Sequence, residues 1–524
     1  MPRQRAQSDE LISLLLRAGE LECALHDAGS DGAANAASLT DLFADAAVEY
    51  DAASARCDGR RLAASGMRLL GGVLHCGTVS VGAPEGFAYY ALHPLDYTDL
   101  VEQIRLDAPV VFVIGIRSIG TTLSAVVAAK LRHLGRAAER MTARPTGHPY
   151  DRRCDFDPLQ RLRFTRALAS NAAFLICDEG PGRSGSSFLS VAEALEREGV
   201  PRDQIALLCS HQPHPAALCA PDGPRRWRRY RSLPAGQTRR LPADAGVCLS
   251  GGEWRRKFFG SEESWPAVWP QMERLRYLSR AENEFLQFEG YGPYGAQVRS
   301  RNEALSDSGF GNPYLGQSDG FGRHILRTGR RGQPHDIGPS LLTRMAEYCA
   351  WRSQQFPATD ADASELATMA QVNFEREFGV RPEQLALPVE RPAVCDAHIH
   401  PHSWLHSDDG RWLKLDGATH GDDHFFPGPC DIAWDLAGTV IEWNLEASAR
   451  DFLLSQYRRA SGDDATQRIA GYELAYAVFR MAWCKMAAES VTDVRQRDRL
   501  LCDYQRYRLI LEQTTASHAS VALQ

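Results

Sequence analysis

The 13 cysteines of this 524-residue chain are scattered, and no two form a Cys-x-x-Cys pair. That argues against a zinc ribbon or a disulfide scaffold and suits a reducing cytoplasm. No run of about 18 apolar residues is present and no secretory leader is evident, so a soluble cytoplasmic protein without a membrane partner is expected. Positive charge is not in excess: 59 Lys and Arg stand against 66 Asp and Glu, a net charge of −7. This argues against a nucleic-acid partner. Neither an internal repeat nor an extended low-complexity tract occurs. No glycine-rich loop ends in Gly-Lys-Ser/Thr, which argues against a Walker-type phosphate loop. What remains is a chain long enough for two or more domains, each with its own core.

The most informative segment is AFLICDEGPGRSGSS, Ala173 to Ser187. An apolar run stops at two adjacent acids, Asp178 and Glu179. Gly180, Pro181, Gly182, Arg183, Ser184, Gly185, Ser186 and Ser187 follow, and then the helical pattern FLSVAEALEREG. Backbone N–H groups at a helix start favour an anion, glycines admit it closely, and the acids can accept hydrogen bonds from vicinal hydroxyls. A sugar-phosphate site is expected. The β-branched run VVFVIGI (Val110 to Ile116) leads into Arg117, Ser118, Gly120, Thr121 and a helix stopping at Gly135, and QIALLCS (Gln204 to Ser210) supplies a third strand. Alternating strands and helices predict an α/β fold with a parallel sheet, its ligand at the carboxyl ends of the strands. The basic loop holding Arg144, His148 and Arg152 is suited to close over a diphosphate. For RRWRRYRSLPAGQTRR (Arg225 to Arg240), a solvated connector or an anion-binding patch is expected.

These segments resemble type I phosphoribosyltransferases, with a longer phosphate loop that carries Pro181 and Arg183. The resemblance implies that Asp178 and Glu179 hold the ribose hydroxyls of phosphoribosyl diphosphate or a nucleotide-like metabolite. It also implies that residues 182–187 hold the 5′-phosphate, that Arg117, Ser118, Gly120 and Thr121 meet the pyrophosphate, and that Mg²⁺ accompanies it. The domain would cover residues 1–240.

Polar chemistry concentrates again between Cys395 and Gly438. Asp396-x-His398-x-His400, with His420 and His424 beyond, matches the opening of metal-dependent amidohydrolase barrels. A divalent-metal hydrolase is therefore one alternative, although such a barrel needs about 250 residues, more than follow His400. The segment is more similar to the aminoglycoside-phosphotransferase and protein-kinase-like fold. CDIAWDLAG (Cys430 to Gly438) matches that family's helix entry, and WLKLDG makes Asp416 its metal-binding acid. One alignment of the catalytic loop puts His398 at the catalytic acid and Ser403 at the following asparagine; a two-residue shift makes Asp396 the acid, with His402 a metal or phosphate ligand. Gln287 and Glu303 occupy the places of the strand lysine and helix glutamate, so the ammonium that meets nucleotide phosphates is missing; Lys257 and Glu273 form an alternative register. Over residues 246–524 the resemblance implies a two-lobed α+β domain, ATP or another nucleotide, and either phosphotransfer or a nucleotide-sensing role.

Overall fold

The computed structural model describes residues 2–521 apart from 54–57, 74–76, 83, 105–107, 215, 217, 360, 383–384 and 422–424. His424 thus lies outside the described residues. The fold is mixed α/β. The chain divides into two compact units: residues 1–243 with 290–296 and 318–320, and residues 244–289 with 297–317 and 321–524.

In the first unit, helices α1 (Pro2–Asp27), α2 (Ala33–Ala53), α3 (Gly59–Gly71), α4 (Glu85–Ala88) and α5 (Asp96–Gln103) precede strand β1 (Val110–Ile116). There follow α6 (Ile119–His133), β2 (Ala137–Ala143), a hairpin of β3 (Thr146–His148) and β4 (Asp151–Arg153), α7 (Pro158–Ala169), β5 (Ala173–Cys177), α8 (Ser186–Arg197), β6 (Ile205–Cys209), α9 (Gly223–Trp227) and β7 (Arg231–Pro234). The five long strands form a parallel sheet in the order β2-β1-β5-β6-β7. Its central strands are continuously apolar because both faces are covered: Phe112, Ile114, Phe174, Ile176 and Leu207 pack with Leu189 and Trp227 in one core. The segment Arg225–Arg240 is no connector. It contains the fifth strand, and its charges are used within the unit, Arg226 on Glu193 at 2.8 Å and Arg240 on Asp51 at 2.7 Å.

The second unit opens with β8 (Ala245–Cys248), α10 (Trp254–Phe258), β9 (Arg276–Ser279) and β10 (Glu284–Phe288); helix α11 (Gly292–Asp307), whose first turn belongs to the first unit, then precedes β11 (Tyr314–Ser318) and β12 (Phe321–Ile325). These strands form one sheet, ordered β11-β12-β10-β9-β8. After β13 (Gly329–Arg331) come α12 (Pro339–Gln355), α13 (Ser364–Phe378), β14 (Pro392–Ala393), β15 (Trp404–Ser407), β16 (Trp412–Lys414), β17 (Cys430–Asp431), α14 (Ala433–Glu442), α15 (Ala447–Ser461), α16 (Ile469–Ser490) and α17 (Val494–Val521). The helices share one core around Trp434, Tyr476, Tyr348 and Trp443. Strand pairs recorded among the described residues of this unit are antiparallel, so the parallel barrel that the hydrolase expectation requires does not form. No helix among the described residues is long and apolar enough to cross a membrane.

Candidate functional sites

The order β2-β1-β5-β6-β7 reverses between β1 and β5, the point where sheets of this kind place a ligand beyond the carboxyl ends of the strands. Two loops meet there backbone to backbone: a Cβ on Gly120 would stand 2.3 Å from the Cys177 carbonyl oxygen. Ser118 adopts φ +103°, a conformation unusual for a side-chain-bearing residue, and is exposed at the turn. Asp178 and Glu179 leave β5 side by side and half-buried. Burial pushes Asp178 up to about 7 against hydrogen bonds from the Glu179 and Gly120 N–H groups. Burial, reinforced by the Asp178 and Glu85 charges, pushes Glu179 up to about 8. The pair therefore takes up a proton near neutrality and can both donate to and accept from ligand hydroxyls.

Several expected partners gather around this pair. Arg117 and Arg144 converge, but on Asp27 at the end of α1; Arg144 also donates to the Arg117 carbonyl at 3.0 Å. The charges of Arg144 and Arg152 reach Asp178 and help to hold it down. Gly182 and Arg183 are exposed, Ser187 is half-buried, and Gly185 starts α8 at φ +67°. Ser184 and Ser186 instead donate to the Pro149 carbonyl, at 2.9 and 2.6 Å, tying the β3–β4 hairpin to the loop. Two expectations need correction. The Thr121 side chain is fully buried, where it cannot meet a phosphate, and His148 is exposed beside Tyr150. Asp27 was not legible, because nothing local in α1 marks a residue that meets arginines 90 and 117 positions away.

In the second unit, Asp435 on α14 sets the loop 396–403. Its carboxylate accepts the Asp396 N–H at 2.8 Å and the Ala397 N–H at 2.9 Å, while burial pushes it up to about 6. Arg352, also fully buried, donates to the carbonyls of Val394, Cys395 and Gly417. The Asp396 side chain then points into the core, bonded to Tyr348 and 3.1 Å from Lys414, with 0% exposure. A substrate-facing catalytic Asp396 does not fit this burial. His398 instead occupies the loop position two residues on, its Nδ1 2.9 Å from Ser403 Oγ and its ring stacked on His420 at 4.4 Å. Burial and neighbouring imidazoles hold His398 well below the usual histidine range. His402 lies beside Trp254, and burial with the Arg331 charge brings it down to about 3. Both shifts favour the neutral, weakly basic form of His398 and His402.

Asp416 sits in a left-handed turn, φ +60°. Its Oδ1 accepts from Gln287 Nε2 at 2.6 Å and Thr419 at 3.1 Å; its Oδ2 meets Arg276 and, at 3.3 Å, His420. Burial alone would raise this carboxyl, but Arg276 and His420 hold it well below its ordinary value. The expected Gln287–Glu303 pair is absent: Glu303 is exposed and faces Arg299 on its own helix. The alternative pair fails too, since Lys257 meets Glu282 at 2.7 Å while Glu273 accepts from Gly252 and Trp254. Glu289, unforeseen, takes Asn302, Tyr314 and Gln317 at 2.6–3.0 Å and ties α11 to the sheet. As a metal site the arrangement is poor. Both oxygens of Asp416 are engaged, and among the described residues no group of three or more His, Cys, Asp or Glu is disposed to hold an ion.

No protein-family model matches the chain, and no curated protein matches it. Among solved structures it is similar to a choline/ethanolamine kinase family protein from Mesorhizobium loti, at 15% identity over 50% of this chain and 94% of that one, TM-score 0.32. It is similar to choline kinase LicA from Streptococcus pneumoniae, at 15% identity over 46% and 89%, TM-score 0.30. A third is the macrolide 2′-phosphotransferase MphH from Brachybacterium faecium, at 11% identity over 44% and 88%, TM-score 0.32. Likenesses at these scores carry no functional assignment.

Proposed function

We propose that the second unit is a kinase-like, phosphotransferase-type nucleotide site with altered chemistry. The observation that carries this reading is the pair of Asp435 hydrogen bonds to Asp396 and Ala397. On this reading the loop they set would give His398 and Ser403 the roles of that family's catalytic acid and asparagine, and Asp416 that of its metal-binding acid. The order strand, short helix, strand, strand, helix, strand, strand is compatible with it, and Gln287 on the third strand would take the lysine's place. A neutral, weakly basic His398 serves proton removal from an acceptor poorly. Nucleotide binding is thus better supported than phosphoryl transfer. Incubation of the full chain with γ-labelled ATP and Mg²⁺ or Mn²⁺ separates the outcomes. Binding with transfer means an enzyme, binding without transfer means a nucleotide-sensing half, and no binding overturns the reading.

For the first unit we propose a phosphoribosyl-diphosphate-type site, supported by the acid pair and phosphate loop at the point where the strand order reverses. Asp178 and Glu179 would hold the ribose, and the amides of residues 182–187 the 5′-phosphate. Arg117 and Arg144 would transfer from Asp27 to the diphosphate, stabilising the charge that leaves the anomeric carbon. Calorimetric titration with phosphoribosyl diphosphate, with and without Mg²⁺, tests this. No heat of binding in either condition removes the proposal.

A further inference from the structure

The second unit lacks an ammonium on its third strand, yet a cation stands beside the vacant place. Strands β9 and β10 pair antiparallel with Arg276 directly opposite Gln287, and residues directly opposite each other share one face of the sheet. Arg276 Nε donates to Gln287 Oε1 at 2.9 Å, its Nη2 meets Asp416 Oδ2, and its Nη1 lies 3.7 Å from Glu273 Oε1. Gln287 Nε2 closes the triangle on the other Asp416 oxygen. A neutral amide thus aims a guanidinium at the acid that marks the centre of the site. A second guanidinium, Arg331, is close by. Among the described residues it meets the Phe258 ring at 4.7 Å and the His402 carbonyl at 3.5 Å rather than a carboxylate. Burial and the Arg276 charge bring Arg331 down to about 10. Two half-buried guanidiniums, balanced by Asp416 and Glu273, thus lie close together where a phosphate chain would meet both.

We infer that Arg276 is the phosphate-binding cation of this site, supplying from the adjacent strand the charge that Gln287 lacks, with Asp416 as its counter-ion until a ligand phosphate arrives. The inference rests on the nucleotide reading above and extends it. A guanidinium presents a planar fork that meets two phosphate oxygens at once, so the expected ligand is a nucleoside di- or triphosphate rather than a nucleoside.

The test measures ATP and adenosine dissociation constants for the full chain and its variants, by calorimetry with and without EDTA. Arg276→Gln should weaken ATP about ten- to hundredfold, the loss of one charged hydrogen-bonding group, and leave adenosine unchanged. Adding Gln287→Lys to Arg276→Gln should restore most of the ATP affinity. If wild type binds ATP and Arg276→Gln binds it equally well, the inference falls and the nucleotide reading stands. If wild type binds no nucleotide, both fall. Should Arg276→Gln fail to fold, Asp416→Asn decides, because it leaves Arg276 without its counter-ion. Tighter binding of inorganic tripolyphosphate in EDTA supports the inference, and unchanged or weaker binding overturns it.

Discussion

Gly86 lies so close to Glu179 that a Cβ at Gly86 would stand 2.7 Å from the carboxyl carbon. The acid is thus lodged against bare backbone, whose N–H also helps to hold its charge. Gly86→Ala should push the flexible end of Glu179 aside, with a stability change below about 1 kcal/mol. Affinity for phosphoribosyl diphosphate should drop about tenfold, the loss of one charged hydrogen bond. Calorimetry beside a melting curve reads both quantities, and an unchanged affinity would remove Glu179 from the ribose site.

The raised acid pair makes stability depend on pH. Folded Asp178 and Glu179 hold their protons more tightly than free carboxyls do. The stability they contribute is complete below the free values of 3.8 and 4.5 and is lost as pH rises through about 7 and about 8. A double variant, Asp178→Asn with Glu179→Gln, should therefore melt above wild type at pH 8.5, the gap narrowing towards pH 4. Parallel melting curves across that range would contradict the assigned shifts.

Asp27 holds Arg117 and Arg144, and under the proposed site it would compete with a diphosphate for them. Asp27→Asn should tighten inorganic diphosphate binding about two- to fivefold, the typical worth of a partly exposed ion pair. Titrating both proteins at low salt measures this. Weaker binding by the variant would mean that Asp27 positions Arg117 and Arg144 rather than occupying them.

Asp435 anchors the loop of the second unit and faces Arg352, 3.8 Å away, both fully buried. Asp435→Ala leaves two N–H groups without their acceptor and a buried guanidinium without this counter-charge, which should cost about 3–5 kcal/mol. Urea unfolding reads the loss. A variant within 1 kcal/mol of wild type would show that the carbonyls of Val394, Cys395 and Gly417 hold this arginine unaided.

Local elements were legible in the residue pattern. The apolar runs at Val110–Ile116 and Phe174–Cys177 became buried parallel strands, and the pattern after Cys430 became α14, because periodicity and turn residues act over a few positions. The helices α1 to α3 and the fifth strand inside Arg225–Arg240 went unread, since charge masked a strand that pairs at one edge only. Which charges meet follows from the packing of distant segments. Arg140 is buried against Glu22, 118 positions earlier, at 2.9 Å. Arg276 lies opposite Gln287 through cross-strand register and meets an acid 140 positions later. Asp396, polar and beside the matched motif, turned inward because Lys414 and Tyr348 were there to receive it. Ion pairs of this kind depend on distance in space and on burial, and neither is written in the spacing of residues along the chain.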